Sequence, residues 1–257
     1  MKTKSLGFIG GGRITKILLQ AFQNKNAKFS RIVVTDTNNE VSANLRKGYP
    51  YVRFENASVA AGQEIVFISL HPPVIMDTLE LLKNDFKRSA TVISLAPKIN
   101  LMKISSKLSQ VKNIARLIPN ATSYINEGFN PVCFSADFAK NEKKEILEVL
   151  GLLGKTFEVA EEKLENYAIM SAMLPTYFWF QWTELEILGT RFGLSETESK
   201  ECIYETMNAA LNTMYHSGMK PEEVMNMIPV KPIGENEDQI RSIYQEKLTA
   251  LFEKIKP

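Results

Sequence analysis

Gly7-Phe8-Ile9-Gly10-Gly11-Gly12-Arg13-Ile14-Thr15 runs straight into Lys16-Ile17-Leu18-Leu19-Gln20-Ala21-Phe22. A strand-forming apolar run that breaks into three glycines and resumes with helical spacing reads as strand, tight turn and helix start. Glycines there let the backbone approach phosphates closely, and the free amides and dipole of a first helical turn favour negative charge. Gly10 and Gly12 fill the first two positions of the dinucleotide fingerprint, and the third falls on Thr15, which predicts slightly looser helix-on-strand packing. Arg31-Ile32-Val33-Val34-Thr35-Asp36 reads as the neighbouring strand, ending in a carboxylate placed to accept hydrogen bonds from an adenosine ribose. The plainer reading is a strand–helix turn with Asp36 as a helix N-cap.

The chain of 257 residues has room for one large domain or two ordinary ones, and its 44% hydrophobic content suffices for a buried core. Net charge is +2 with scattered Lys and Arg, so no footprint for nucleic acid or an anionic membrane is expected. Cys133 and Cys202 lie far apart without metal-ligand spacing, which predicts reduced, partly buried thiols in a cytoplasmic protein and no metal site. The first apolar run is too short and glycine-broken for a signal segment, and no apolar stretch approaches membrane-spanning length.

Strands alternating with helices continue to residue 160. A helix from Val41 to Lys47, a short strand near Tyr51–Phe54 and a helix from Ser58 lead to Glu64-Ile65-Val66-Phe67-Ile68-Ser69-Leu70, which reads as a strand buried on both faces. It stops at His71-Pro72-Pro73, where the carboxyl edge of a parallel sheet should lie. Helix 74–83, strand 90–95, helix 101–110, strand 112–118, helix 140–152 and strand 155–159 complete a mostly parallel sheet. No Arg directly follows Asp36, which leans toward NAD, with NADP left open through Arg46 or Lys47.

From residue 161 the strands cease, and three helical segments follow, about 165–192, 196–216 and 237–254. The last two are amphipathic. In the first, Met170, Leu174, Phe178, Trp179, Phe180, Trp182 and Leu185 cover most of the circumference, which demands burial on nearly all sides. We expect a homodimer whose subunits cover each other's helix, the alternative being burial against the chain's own first domain.

The order of elements and several local phrases resemble the pyrroline-5-carboxylate reductase family, enzymes of the last step of proline synthesis. The family's N-terminal signature resembles Gly7–Gly12, its cofactor-contacting asparagine Asn56, and its strand ending in Val-Lys-Pro resembles Ser69-Leu70-His71-Pro72. Its Arg-x-x-Pro-Asn segment resembles Arg116–Asn120 with Glu127-Gly128 following, and its Pro-Ala-Tyr and Gly-Leu phrases resemble Pro175–Tyr177 and Phe192–Leu194. The resemblance implies a Rossmann-type doubly wound, mostly parallel α/β domain over residues 1–160, then an all-α dimerisation and substrate domain over 161–257. It also implies a small imino-acid substrate and a homodimer through the C-terminal helices, with further assembly open. NADP or NAD would then be held by Gly10, Gly11, Gly12, Arg13, Ile14, Asp36, Asn56, Leu70, His71, Pro72, Ala96 and Asn120.

Departures fall where the substrate belongs. The family's Gly-Ser-Gly is Ala172-Met173-Leu174, its Ala-Ala-Gly is Ala96-Pro97-Lys98, and its Ser-Pro-Gly-Gly-Thr-Thr loop is matched by Pro229-Val230-Lys231-Pro232-Ile233-Gly234-Glu235, without the hydroxyls. The candidates for polar contact with substrate are Thr176, through its hydroxyl, and Lys231, through pairing with a carboxylate, while Tyr177 reads as core. His71 at the sheet edge is open between coenzyme contact, proton shuttle and a plain rim residue. A protonated cyclic imine brings its own charge, so no strong general acid is required. The readings carried forward are a pyrroline-5-carboxylate reductase-like enzyme, a reductase of another imine or a 2-oxo acid, and a catalytically silent coenzyme-binding dimer.

Overall fold

The structure, a computed structural model, describes residues 3–257, which divide into two compact units. The first comprises the described residues up to 173 with 252–257, and the second 174–251. Residues 161–173 thus group with the sheet, although the strand pattern ends at 160.

In the first unit, eight strands form one sheet: β1 (Ser5–Ile9), β2 (Arg31–Thr35), β3 (Arg53–Phe54), β4 (Ile65–Ile68), β5 (Thr91–Ser94), β6 (Asn113–Leu117), β7 (Gly128–Phe134) and β8 (Gly154–Glu158). Their order is β3-β2-β1-β4-β5-β6-β7-β8, every pairing parallel except β6 with β7. The connecting helices are α1 (Arg13–Asn24), α2 (Asn39–Gly48), α3 (Ala57–Ala61), α4 (Pro72–Leu82), α5 (Leu101–Lys107) and α6 (Lys140–Gly151). Successive strand residues point to opposite faces, and the core divides accordingly. Phe8, Val34 and Phe67 join Leu18 and Phe22 of α1 on one face, while Ile9, Val33, Val66 and Ile68 join Ile75 and Leu79 of α4 on the other. Phe8 and Phe67, directly opposite in register, stack with ring centroids 4.8 Å apart. Helices on both faces explain why β4 is buried at every position.

β7 has no counterpart in the pattern read from sequence. Pro131 interrupts its alternation and lacks a ladder donor, which argues against a central strand; here its carbonyl accepts from the Ile118 amide at 3.0 Å, and β7 still pairs on both sides. The single long helix expected over 165–192 is also broken. α7 (Leu164–Tyr167) passes into a π-helical turn at Ala168–Ala172, and α8 (Pro175–Arg191) starts afresh at its proline. Pro175 cannot continue a helical ladder, and the Ser171 carbonyl is instead taken by the Asn120 side chain at 2.9 Å.

The second unit contains α8, α9 (Glu196–His216) and α10 (Pro221–Met225), a short helix absent from the sequence reading, and most of α11 (Glu237–Ile255). Ser195 opens α9 with a reciprocal capping box to Glu198, and His216 lies in its last turn. No residue of α8 is buried in the single chain, and Trp179, Phe180, Leu185 and Ile187 are 46%, 68%, 48% and 49% exposed. The all-round burial expected of this segment is therefore not provided within one chain.

Candidate functional site

Strand register builds the site's floor. Ile9 lies opposite both Thr35 and Ile68, Ile68 opposite Ser94, and Ser94 opposite Arg116, so the loops leaving β1, β2, β4 and β5 emerge side by side at the carboxyl edge. The connections from β1 lead to β2 on one side and, later, to β4 on the other. That reversal is the topological switch point at which open α/β sheets bind ligands.

The glycines after β1 serve different ends. Gly10 has φ +105°, donates its amide to the Thr35 carbonyl at 2.9 Å, and would place a Cβ 2.4 Å from the Ser69 carbonyl oxygen. Backbone and neighbour both require glycine there. Gly12 has φ −67° and ψ −167°, which any residue adopts, and nothing lies within 4 Å of the position its Cβ would take. The fold makes no demand for glycine at 12; what its missing side chain preserves is open space over the first turn of α1. No side chain caps that turn and no acidic residue lies in it, so its amides face this space with their positive end. This cradle fits the diphosphate of a dinucleotide.

Thr15 occupies the third fingerprint position. It is fully buried, and its hydroxyl donates to the Gly10 carbonyl at 2.6 Å, bracing the turn. Ile14 packs against the core while Arg13 is exposed; Gly11, Gly12, Arg13, Lys16, Asn44 and Tyr49 help line a cavity of about 470 Å³ beside the loop.

Asp36 leaves β2 beside this loop and accepts the Gly11 amide at 2.7 Å on Oδ2 and the Asn38 amide at 2.7 Å on Oδ1. The N-cap of α2 is Asn38, not Asp36, which settles one alternative left by the sequence. The carboxylate is thereby fixed next to the cradle, and each oxygen keeps acceptor capacity for a ribose hydroxyl. Leu70 is half-buried beside Gly10, His71 is the exposed N-cap residue of α4 without a side-chain capping bond, and Pro72 takes the first helical position. Ala96 is only 3% exposed and packs in the core cluster below the edge. Ser69 Oγ and Ser94 Oγ, at the ends of β4 and β5, are buried without a hydrogen-bond partner among the described residues.

Two expected contact residues are committed elsewhere. Asn56, exposed at the outer end of the same edge, caps α3 by accepting the Val59 amide at 3.0 Å. Asn120 is 5% exposed, donates to the Ser171 carbonyl, and accepts the Thr122 amide and hydroxyl at 2.9 and 2.8 Å. Its side chain ties the segment after β6 to the π-helical turn, a structural use that the sequence reading did not foresee.

The sequence reading also missed a buried ion network. Arg116 on β6 is completely buried and pairs with Glu161 at 2.9 Å and Glu165 at 2.5 Å. Both carboxylates accept a second bond from the loop after β5: Glu165 takes the Lys98 amide at 3.1 Å and Glu161 the Leu101 amide at 2.7 Å. Lys98 is held at φ +75°, a left-handed conformation that costs a residue with a Cβ about 1–2 kcal/mol. A lone arginine inside the apolar run Ile114-Ala115-Arg116-Leu117-Ile118, with carboxylates four residues apart at 161 and 165, was the available signal. Cys133 lies opposite Arg116 in β7; burial pushes its thiol up to about 12, so it is inert, while Cys202 is exposed, which corrects the expectation of two partly buried thiols.

In the second unit, Thr176 stands in the first turn of α8 and lines an apolar groove of about 480 Å³ with Tyr177, Phe180, Ile240 and Tyr244. Lys231 is exposed in the loop after α10, its carbonyl accepting the Gly234 amide at 3.0 Å. The two lie on different elements, and neither is part of the carboxyl edge of the sheet as the first unit builds it.

Residues 5–98, from β1 through the loop after β5, match the family model described as NADP oxidoreductase, coenzyme F420-dependent. A pyrroline-5-carboxylate reductase of Corynebacterium melassecola is 24% identical over 253 residues, covering 96% of this chain and 93% of that protein. The chain is similar along its whole length to the pyrroline-5-carboxylate reductases. The pyrroline carboxylate reductase of Plasmodium falciparum, solved with NADP bound, superposes with a TM-score of 0.76 at 20% identity, covering 99% of this chain and 95% of that one. The 1-pyrroline-5-carboxylate reductase of Streptococcus pyogenes gives 0.74 at 15% identity, covering 99% and 97%. The pyrroline-5-carboxylate reductase fold therefore extends over both units of this chain.

Proposed function

We propose that the protein is an NAD(P)H-dependent reductase that transfers hydride to the C=N carbon of a cyclic imino acid, with L-pyrroline-5-carboxylate as the leading substrate. The observation that carries this is the open cradle at Gly12, at the switch point, with Asp36 fixed beside it. The coenzyme, when bound, supplies the hydride. Gly10, Gly11 and Gly12 and the first-turn amides of Arg13 and Ile14 would hold its diphosphate, and Asp36 a ribose hydroxyl. Leu70, His71, Pro72 and Ala96 would border the remainder along the edge. Asn56 and Asn120 would act through the backbone they fix. The imine nitrogen arrives protonated and becomes the ring amine, so the chain has only to orient the ring and hold its carboxylate. Thr176 and Lys231 are proposed for that contact.

The test is loss of NADH or NADPH absorbance on adding L-pyrroline-5-carboxylate. The second reading, another imine or a 2-oxo acid, draws on the hydroxyl-free loop Pro229–Glu235 and would show as turnover with those compounds alone. Coenzyme binding without any turnover would instead favour a silent regulatory dimer.

Because a carboxylate repels a 2′-phosphate, native protein should bind NADH more tightly than NADPH. Asp36→Ala should narrow that gap about tenfold, about 1.4 kcal/mol, in parallel fluorescence titrations. Tighter NADPH binding by the native chain would overturn this assignment.

A homodimer is proposed from the exposed apolar face of α8, where a second copy would cover Trp179, Phe180 and Ile187. Mass measurement in solution should give twice the chain mass, and the pair Phe180→Glu with Ile187→Glu should give monomer; a native monomer rejects the proposal. A cytoplasmic location is proposed from the free cysteines. Among the described residues no helix is long and apolar enough to cross a membrane.

A further inference from the structure

We propose that Lys98 is a specificity-determining cation for the substrate's carboxylate, additional to Lys231 and presented by a turn that the buried Arg116–Glu165 pair holds in place; the assignment rests on the imino-acid reading above. Three observations converge on this residue. The loop that the resemblance assigns to carboxylate binding, Pro229–Glu235, has no hydroxyl left and keeps Lys231 as its one cationic side chain, so an anionic substrate has fewer partners there and use for a second cation. Lys98 stands in the loop that leaves the carboxyl end of β5, the strand next to the switch-point strand β4, with its side chain exposed and no ion pair to it among the described residues. Its backbone occupies a left-handed conformation at φ +75°, where glycine would sit without strain, and that conformation is enforced from below.

The enforcement is specific. Glu165, 2% exposed, directs one oxygen to both the Arg116 guanidinium and the Lys98 amide, and Glu161 fixes Leu101 three residues on. Asn100 between them caps α5 by accepting the Lys103 amide at 2.9 Å. A loop pinned at 98, 100 and 101 is a rigid mount, and a flexible ammonium on a rigid backbone turn at the ligand edge is suited to meet a small anion. Strain retained at a residue with a side chain, where a glycine would be easier, is accounted for by a use for that side chain.

The test uses Lys98→Gly, which relieves the backbone and removes only the cation, and Lys98→Arg, which keeps the charge. Steady-state kinetics are compared for L-pyrroline-5-carboxylate and for 1-pyrroline, the same ring without the carboxylate. With Lys98→Gly we expect KM for the carboxylated ring to rise about tenfold or more with kcat within about threefold, the pattern of lost ground-state binding. KM for 1-pyrroline and the dissociation constant of the reduced coenzyme should not move, and Lys98→Arg should recover most of the loss. A KM that moves less than about twofold, or equally for both rings, overturns the assignment. If native protein reduces neither ring, the reductase reading falls on its own. Titration of L-proline onto native and Lys98→Gly protein with oxidised coenzyme then decides the residue's role, since equal binding, or none to either, overturns it.

Discussion

Gly12→Val should weaken binding of reduced coenzyme by about a hundredfold or more, about 2.7 kcal/mol, without lowering the melting temperature by more than about 3 °C. The two readouts separate because the fold and the ligand make different demands on this position. Position 12 has an ordinary extended conformation and no protein atom within 4 Å of its Cβ site, so a valine there meets only the space above α1. Valine is a poorer N-cap than glycine, which accounts for the small stability allowance. The contrast is Gly10→Ala, whose Cβ would collide with the Ser69 carbonyl from a backbone at φ +105°; that variant should lose stability whether or not coenzyme is added. Isothermal titration and thermal unfolding of both variants check the pair. A Gly12→Val protein that binds coenzyme as tightly as the native one would remove the main support for a diphosphate at this turn.

The parts of the molecule legible in the sequence are those in which local chemistry and global packing agree. β1, the glycine turn and α1 are dictated by residues adjacent in the chain, and β4 announces itself because burial on both faces leaves no polar position. β7 was hidden by Pro131, which is tolerated because its carbonyl, not its missing amide, makes the bond to Ile118. The break before α8 was hidden because apolar residues continue through it, although Pro175 interrupts the ladder; the partner that takes up the freed Ser171 carbonyl, Asn120, is distant in the chain. Asn56 and Asn120 show the limit of matched phrases: a carboxamide in the right place by resemblance serves first as a cap or a tie. Lys98 was invisible for the opposite reason. Nothing in Ala96-Pro97-Lys98 signals a left-handed lysine, because the carboxylate that enforces it is 67 residues away.

That enforcing network carries the largest expected effect on stability. Arg116→Met should destabilise the protein by about 3–5 kcal/mol, a fall of roughly 10 °C in melting temperature, because it strands the Glu165 carboxylate at 2% exposure without its cation. The arginine itself is not thereby shown to be a large net stabiliser. Burying a guanidinium and a carboxylate costs desolvation that their attraction only offsets, and Arg116 Nε has no partner among the described residues to improve the balance. Removing both charges therefore separates the two contributions. The double variant Arg116→Met with Glu165→Met should recover most of the loss, since Glu161, 27% exposed at its side chain, still reaches water, whereas Glu165→Met alone should remain as destabilised as Arg116→Met. The double variant should nevertheless lose the clamp on the Lys98 amide, so its KM for the carboxylated substrate should stay high although its melting temperature returns. A double variant that regains both stability and substrate affinity would show that the network has no part in presenting Lys98; stability regained without affinity would show that the buried pair is kept to shape the edge above it.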